Sequence, residues 1–82
     1  MMTVQVRMFA RFRDVFGAEA TAVELPDGGG VAALRGRLGA MKSEIVALLA
    51  RSQIAVNGEF AADELTLQPA DEIALIPPVS GG

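Results

Sequence analysis

The sequence predicts an α+β domain in which a single mixed sheet has one face covered by helix. Three observations lead there. Residues 3–9 alternate between apolar and polar side chains, the period of a half-buried strand. Val31, Leu34, Leu38, Met41, Ile45 and Leu48 recur at spacings of three and four, the period of helix lying on a core. Asn57-Gly58 follows the apolar run Ile54-Ala55-Val56. That dipeptide is the one best suited to a two-residue hairpin turn, whose central residues need positive φ.

In the first strand Val4, Val6 and Met8 point to one side, and Thr3, Gln5, Arg7 and Phe9 to the other. Ala10 to Phe16 has room for two helical turns, with Gly17 where a C-terminal cap belongs. Thr21 to Leu25 reads as a second short strand, and Pro26-Asp27-Gly28-Gly29-Gly30 breaks it. The long stripe fits one amphipathic helix, or two consecutive ones packed on a common surface. Gly36 and Gly39 each weaken a helix by roughly 1 kcal/mol relative to alanine. A break between 39 and 43 is therefore expected, with Ser43 capping the second piece. After the hairpin turn, Glu59 and Phe60 begin the return strand. Leu65 to Asp71 is a loop centred on Pro69, and Glu72 to Ile76 is the last strand. Pro77-Pro78 cannot donate to a ladder and favours extended backbone.

Strands one and two are close enough in sequence to pair directly, and the long helical segment then crosses to the remaining strands. This order matches the β-grasp, or ubiquitin-like, arrangement. Residues 1–82 are expected to form one domain with a flexible C-terminal tail at 77–82; no repeat, linker or second domain is seen.

Composition narrows the chemistry. The chain has 82 residues, 51% of them hydrophobic, which is one core near the lower limit for folding without staples. It has no cysteine, so disulfides, thiolate metal sites and thiol nucleophiles are excluded. It has no histidine, which removes the commonest metal ligand and the usual base for Ser43, Ser52 or Ser80. A self-contained hydrolase or metalloenzyme is not expected, and no metal site is read. The formal charge of −3 and the scattered placement of seven Lys and Arg argue against nucleic acid. No apolar run approaches a membrane span and no export signal is evident, so a cytoplasmic location without membrane contact is expected. The pairs Asp63-Glu64 and Asp71-Glu72 read as solvated loop residues in preference to a cation or acid–base site. Gly28-Gly29-Gly30 lacks the lysine and spacing of a phosphate loop, and reads as a flexible turn.

The C-terminus stands apart. Pro77 to Gly82 reaches at most roughly 20 Å when extended. The prolines stiffen its base and the glycines leave its tip without side chains. Such a tail can thread a narrow channel and present a terminal carboxylate inside another protein; it can equally be a frayed end. The residues alone leave both readings open.

The wider pattern resembles a known family. Asp71-Glu72-Ile73-Ala74-Leu75-Ile76-Pro77-Pro78-Val79-Ser80-Gly81-Gly82 is similar to the end of molybdopterin synthase small subunits, ubiquitin-like sulfur carriers that finish Pro-Pro-Val-(Ser/Thr)-Gly-Gly. Phe9 to Gly17, Leu25-Pro26-Asp27-Gly28 and Ala55-Val56-Asn57-Gly58-Glu59 also resemble the family, so the likeness covers nearly the whole chain. Two departures are visible. Many relatives carry threonine where Gly30 stands, and the usual Gly-Asp-Glu turn is here Ala70-Asp71-Glu72.

The resemblance implies that an ATP-dependent activating enzyme adenylates Gly82, and that sulfur then replaces AMP to give a C-terminal thiocarboxylate (1-thioglycine). It also implies a large synthase subunit as partner, in a heterotetramer. That subunit would bind cyclic pyranopterin monophosphate and hold the catalytic residues, Lys42 here inheriting no such role. This chain would then be a non-catalytic carrier with no permanently bound cofactor. Gly82 and Gly81 would form the reactive end. Phe9, Phe60, Ile76, Pro77, Pro78 and Val79 would form the partner-binding surface. The alternatives are a thiamine-type sulfur carrier, a ubiquitin-like modifier joined to lysines, and a plain binding module.

Overall fold

A computed structural model of the chain describes residues 1–78. β1 (Met2–Met8) keeps the alternation read from the sequence, its even-numbered residues buried and its odd-numbered ones exposed. α1 (Ala10–Phe16) ends at Gly17, whose φ of 71° and N–H bond to the Arg13 carbonyl close the helix as its position predicts. β2 (Ala20–Leu25) returns antiparallel to β1. The helical segment comprises α2 (Val31–Met41), a 3-10 turn (Ser43–Ile45) and α3 (Val46–Ala50). β3 (Gln53–Val56) and β4 (Glu59–Phe60) form the expected hairpin, with φ of 54° at Asn57 and 86° at Gly58. β5 (Glu72–Ile76) completes a five-stranded sheet in the order β2-β1-β5-β3-β4. The β1–β5 pair is parallel and the others are antiparallel, so the sheet is mixed.

The core lies between one sheet face and the helices. Val4, Val6, Ile54, Ile73 and Leu75 meet Leu34, Leu38, Ile45 and Leu49, with Phe12 closing one end. The opposite face is open.

The helical stripe departs from its sequence reading in two places. Met41 is exposed and Leu48 is half-buried, while Leu49 takes the core position. Met41 is the last residue of α2, where the helix ends, and for Leu48 and Leu49 the cause is a change of phase. α2 stops at Lys42 (φ −140°, ψ 89°), and the next three residues turn as a 3-10 helix. The break itself falls at Lys42, within the expected 39–43 span, while Gly39 stays inside α2; a Cβ there would lie 3.3 Å from Val46 Cγ2 of α3, so the glycine allows close approach. Ser43 does not cap: it is the first residue of the 3-10 turn, and no side-chain cap bond forms at that end.

The start of α2 is held by backbone in place of a capping side chain. Val31 N–H donates to the Leu65 carbonyl at 3.0 Å and Ala32 N–H to the Asp63 carbonyl at 3.1 Å. Leu67 N–H bonds the Gly29 carbonyl, and its side chain is buried, so the loop that follows β4 is tied to the core. Arg35 fixes the same region from the other side. Its guanidinium donates to the carbonyls of Leu49 (2.7 Å) and Ser52 (2.8 Å) and to Asp63 Oδ1 (3.0 Å).

Candidate functional site

The open face is built by strand alternation and register. Thr3, Gln5 and Arg7 of β1 are exposed on it. Arg7 pairs with Ala74 of β5, Ala74 with Ala55 of β3, and Ala55 with Phe60 of β4. Side chains directly opposite one another share a face. The row therefore has an arginine at one side, two alanines as a low floor and a phenylalanine at the other. A shallow cavity of about 200 Å³ lies over it, lined by Arg7, Phe9, Ala55, Gly58, Glu72 and Ala74 among others.

Phe9 follows directly on β1. The parallel register sets Met8 beside Leu75, so Phe9 and Ile76 are the next residues of neighbouring strands at one end of the sheet. Phe9 is 41% exposed and Phe60 69% exposed, which excludes both from the core; Ile76 is half-buried. The Arg7 guanidinium lies 5.9 Å from the centre of the Phe9 ring and holds it against the face by cation–π attraction. Ala10, next in line, has a φ of 50°, a conformation costly for a residue with a Cβ. This strained turn sends the chain into α1 and leaves Phe9 outside the core.

The expected surface thus comes together in part. Phe9 and Ile76 lie side by side, Pro77 is half-buried and Pro78 exposed just beyond them, and Phe60 stands across the alanine floor. Val79, Gly81 and Gly82 lie outside the described residues. Arg7, Ala55 and Ala74 were not singled out in the sequence, though their alternation placed at least Arg7 outward.

The secondary candidates resolve into structure. Asp71 accepts from Asn57 Nδ2 (3.0 Å) and from the Gln68 N–H (2.7 Å), while Asn57 Oδ1 accepts the Glu72 N–H at 2.9 Å. Asp71 therefore ties the hairpin turn to the start of β5, and Asp63 is engaged by Arg35. Glu64 and Glu72 are solvated, as read. Among the described residues no group of three acidic, histidine or cysteine side chains could hold a metal ion. In and just after the glycine run, the Gly29, Val31 and Ala32 N–H groups are already given to protein carbonyls and are not offered to an anion. Among the described residues no helix is long and apolar enough to cross a membrane.

Comparison with known proteins bears on what this face and tail belong to. The sequence profile of the ThiS family matches residues 6–82. The chain belongs to the ThiS family. The molybdopterin synthase sulfur carrier subunit of Chlamydomonas reinhardtii is 32% identical over 83 residues, covering 99% of this chain and 100% of that protein. The subunit of the same description in Dictyostelium discoideum is 33% identical over 81 residues, covering 95% and 94%. These relatives agree with the molybdopterin-synthase type of sulfur carrier that the Pro-Pro-Val-Ser-Gly-Gly end resembles. Among solved structures, SAMP1 of Haloferax volcanii superposes with a TM-score of 0.84 at 25% identity, covering 98% of this chain and 99% of that one. A chain from the complex of subunits 1 and 2 of the Helicobacter pylori molybdopterin-converting factor gives 0.68 at 27% identity, covering 99% and 100%. The β-grasp fold read from element order is thereby shown.

Proposed function

We propose that this ThiS-family chain is the sulfur carrier subunit of molybdopterin synthase, acting through its Gly82 carboxylate. The observation that carries the reading is the parallel β1–β5 pair, which puts exposed Phe9 beside the strand from which Pro77 and Pro78 lead to that terminus. A partner that covers the open face is then placed to receive the tail. The names of the relatives and the two-subunit Helicobacter pylori complex support the same reading.

A carboxylate is a poor acyl donor until activated. An ATP-dependent enzyme joins the Gly82 carboxylate to AMP with release of pyrophosphate, and a sulfide donor displaces AMP to leave a thiocarboxylate. Inside the large subunit that sulfur passes to cyclic pyranopterin monophosphate and becomes part of the dithiolene. This chain supplies the sulfur-bearing group and the docking face, and the large subunit supplies the catalytic residues in a heterotetramer. ATP belongs to the activating enzyme, and the chain carries no permanent cofactor. The work is done in the cytoplasm, by residues 1–82 as one domain.

Reconstitution tests this. Purified chain, activating enzyme, ATP and sulfide should gain the mass change of one oxygen replaced by sulfur, and the product should convert precursor with the large subunit. Deleting Gly82, or adding a residue after it, should abolish transfer with little change in melting temperature. One residue shifts the reactive carbon by roughly 3.3 Å, and about 1 Å can cost on the order of a hundredfold in rate. Full activity with an uncleaved extra residue would refute the proposal. A second reading, a protein modifier, is favoured by the likeness to SAMP1, one of the small archaeal modifier proteins. It predicts mass-shifted adducts on lysines in cell extract. A thiamine-type carrier would relieve thiamine auxotrophy instead of restoring molybdenum-cofactor synthesis.

A further inference from the structure

We infer that a second docking element lies along the β4 edge: an apolar groove with an acidic rim, which takes a partner-protein segment bearing an apolar side chain flanked by lysine or arginine. The inference rests on the sulfur-carrier reading and adds to it a place and a charge. The groove has a volume of about 470 Å³. Phe60, 69% exposed, and Leu65, 44% exposed, stand over Ala61 and Ala62, with Glu59 and Glu64 at the rim.

The groove is preformed. Leu65 donates its N–H to the Ala62 carbonyl at 3.1 Å, and its own carbonyl caps Val31 at 3.0 Å. Two residues on, Leu67 is bonded to Gly29 and buried. Backbone bonding on both sides thus holds the Leu65 side chain out in solvent, where a large apolar group stays only at a cost.

Charge decides what fits. All seven Lys and Arg lie within residues 1–51, and none follows. From residue 52 on the charged side chains are Glu59, Asp63, Glu64, Asp71 and Glu72. Asp63 is neutralised by Arg35 and Asp71 is engaged by Asn57. Glu59 and Glu64 form no ion pair among the described residues, and both face the groove. A second copy docked through this surface would set these carboxylates against their own kind. The chain's own end, Val79-Ser80-Gly81-Gly82, carries no cationic side chain to satisfy them. A cationic, apolar-tipped segment of another protein matches both features. The groove also continues the open face, since Phe60 pairs with Ala55 of the alanine floor. The large synthase subunit, seated over that floor, reaches the groove without a separate contact zone.

The test is titration of the purified large subunit with wild-type chain, Leu65→Ser, and the double variant Glu59→Lys/Glu64→Lys, at low and high ionic strength. Glu44→Lys, exposed on the helical side, is the control. The double variant should bind about tenfold or more weaker at low salt, with the gap narrowing at high salt. Leu65→Ser should bind weaker at both, and the control unchanged. Should the double variant fail to fold, Glu59→Gln/Glu64→Gln is read the same way, with a loss of roughly threefold or more expected. Wild-type affinity in the folded charge variants, with sulfur transfer intact, overturns the groove and leaves the carrier reading standing. A wild-type chain that does not bind the large subunit overturns both.

Discussion

Gly30→Ala sets local propensity against tertiary space. Gly30 has φ −115° and ψ −168°, extended backbone open to any residue. Removing a glycine there restricts the unfolded chain, which by itself stabilises by about 0.4–1 kcal/mol. The surroundings reverse the sign. A Cβ at Gly30 would lie 2.6 Å from the Leu65 carbonyl oxygen, nearly an ångström short of ordinary contact. That oxygen caps Val31, and the same loop caps Ala32 through Asp63. Moving the loop forfeits both bonds, at about 1 kcal/mol each. The net is a loss of about 1–2 kcal/mol, or roughly 4–16 °C in melting temperature for a domain of this size. Gly36→Ala on the same helix is the control: its Cβ meets nothing within 4 Å, so the change should stabilise by about 0.5–1 kcal/mol. Thermal unfolding by circular dichroism and calorimetry reads both. A Gly30→Ala variant that melts at or above wild type refutes the argument that the loop, and not a capping side chain, starts this helix.

Phe9→Glu should weaken binding to the large subunit and the activating enzyme, yet cost stability only the Arg7 contact, about 0.5–1 kcal/mol. Val6→Asp should unfold the domain, because it buries an unpaired charge at a site with 0% exposure; equal losses in the two would place Phe9 in the core. Asn57→Asp turns a donor 3.0 Å from Asp71 into a second carboxylate and should cost about 1 kcal/mol. Adding Asp71→Asn should restore part of it in a double-mutant cycle. Ala10→Gly relieves a φ of 50° and should stabilise by roughly 0.5–1 kcal/mol, measured by denaturant midpoint at constant m-value.

Strands and helices were legible where one local rule governed them. The β1 alternation, the Gly17 cap and the Asn57-Gly58 turn each depend on neighbouring residues, and the structure keeps all three. The stripe holds at Ile45 but misleads at Met41, where α2 ends, and at Leu48, because periodicity assumes a constant turn angle, which the 3-10 turn at Ser43–Ile45 breaks. Ser43 reads as a cap because serine suits a helix start, but the piece after the break opens as a 3-10 turn with Ser43 inside it. The Arg35 clamp was hidden, since two of its acceptors are backbone carbonyls 14 and 17 residues away. Leu67 sits inside a stretch with loop composition, yet it is buried, its backbone bonded to Gly29 across a non-local contact that the stretch does not encode. Of the site, Phe9 and Ile76 were visible by parity and family resemblance. The Ala55–Ala74 floor needed the register of three strands, which no single segment encodes.

The central position of β5 has a mechanical meaning. Four of its residues pair with β1 on one side (Glu72 to Leu75) and four with β3 on the other (Ile73 to Ile76). Hydrogen bonds in such ladders run across the strand direction. Tension applied along the segment leaving Ile76 therefore loads both ladders in shear, many bonds together, where a strand lifted sideways would open one bond at a time. Under the proposed function, a chain handed from one enzyme to another by its end could be tugged repeatedly without unravelling, and single-molecule pulling from the C-terminus should meet a higher rupture force than pulling on the β3–β4 hairpin.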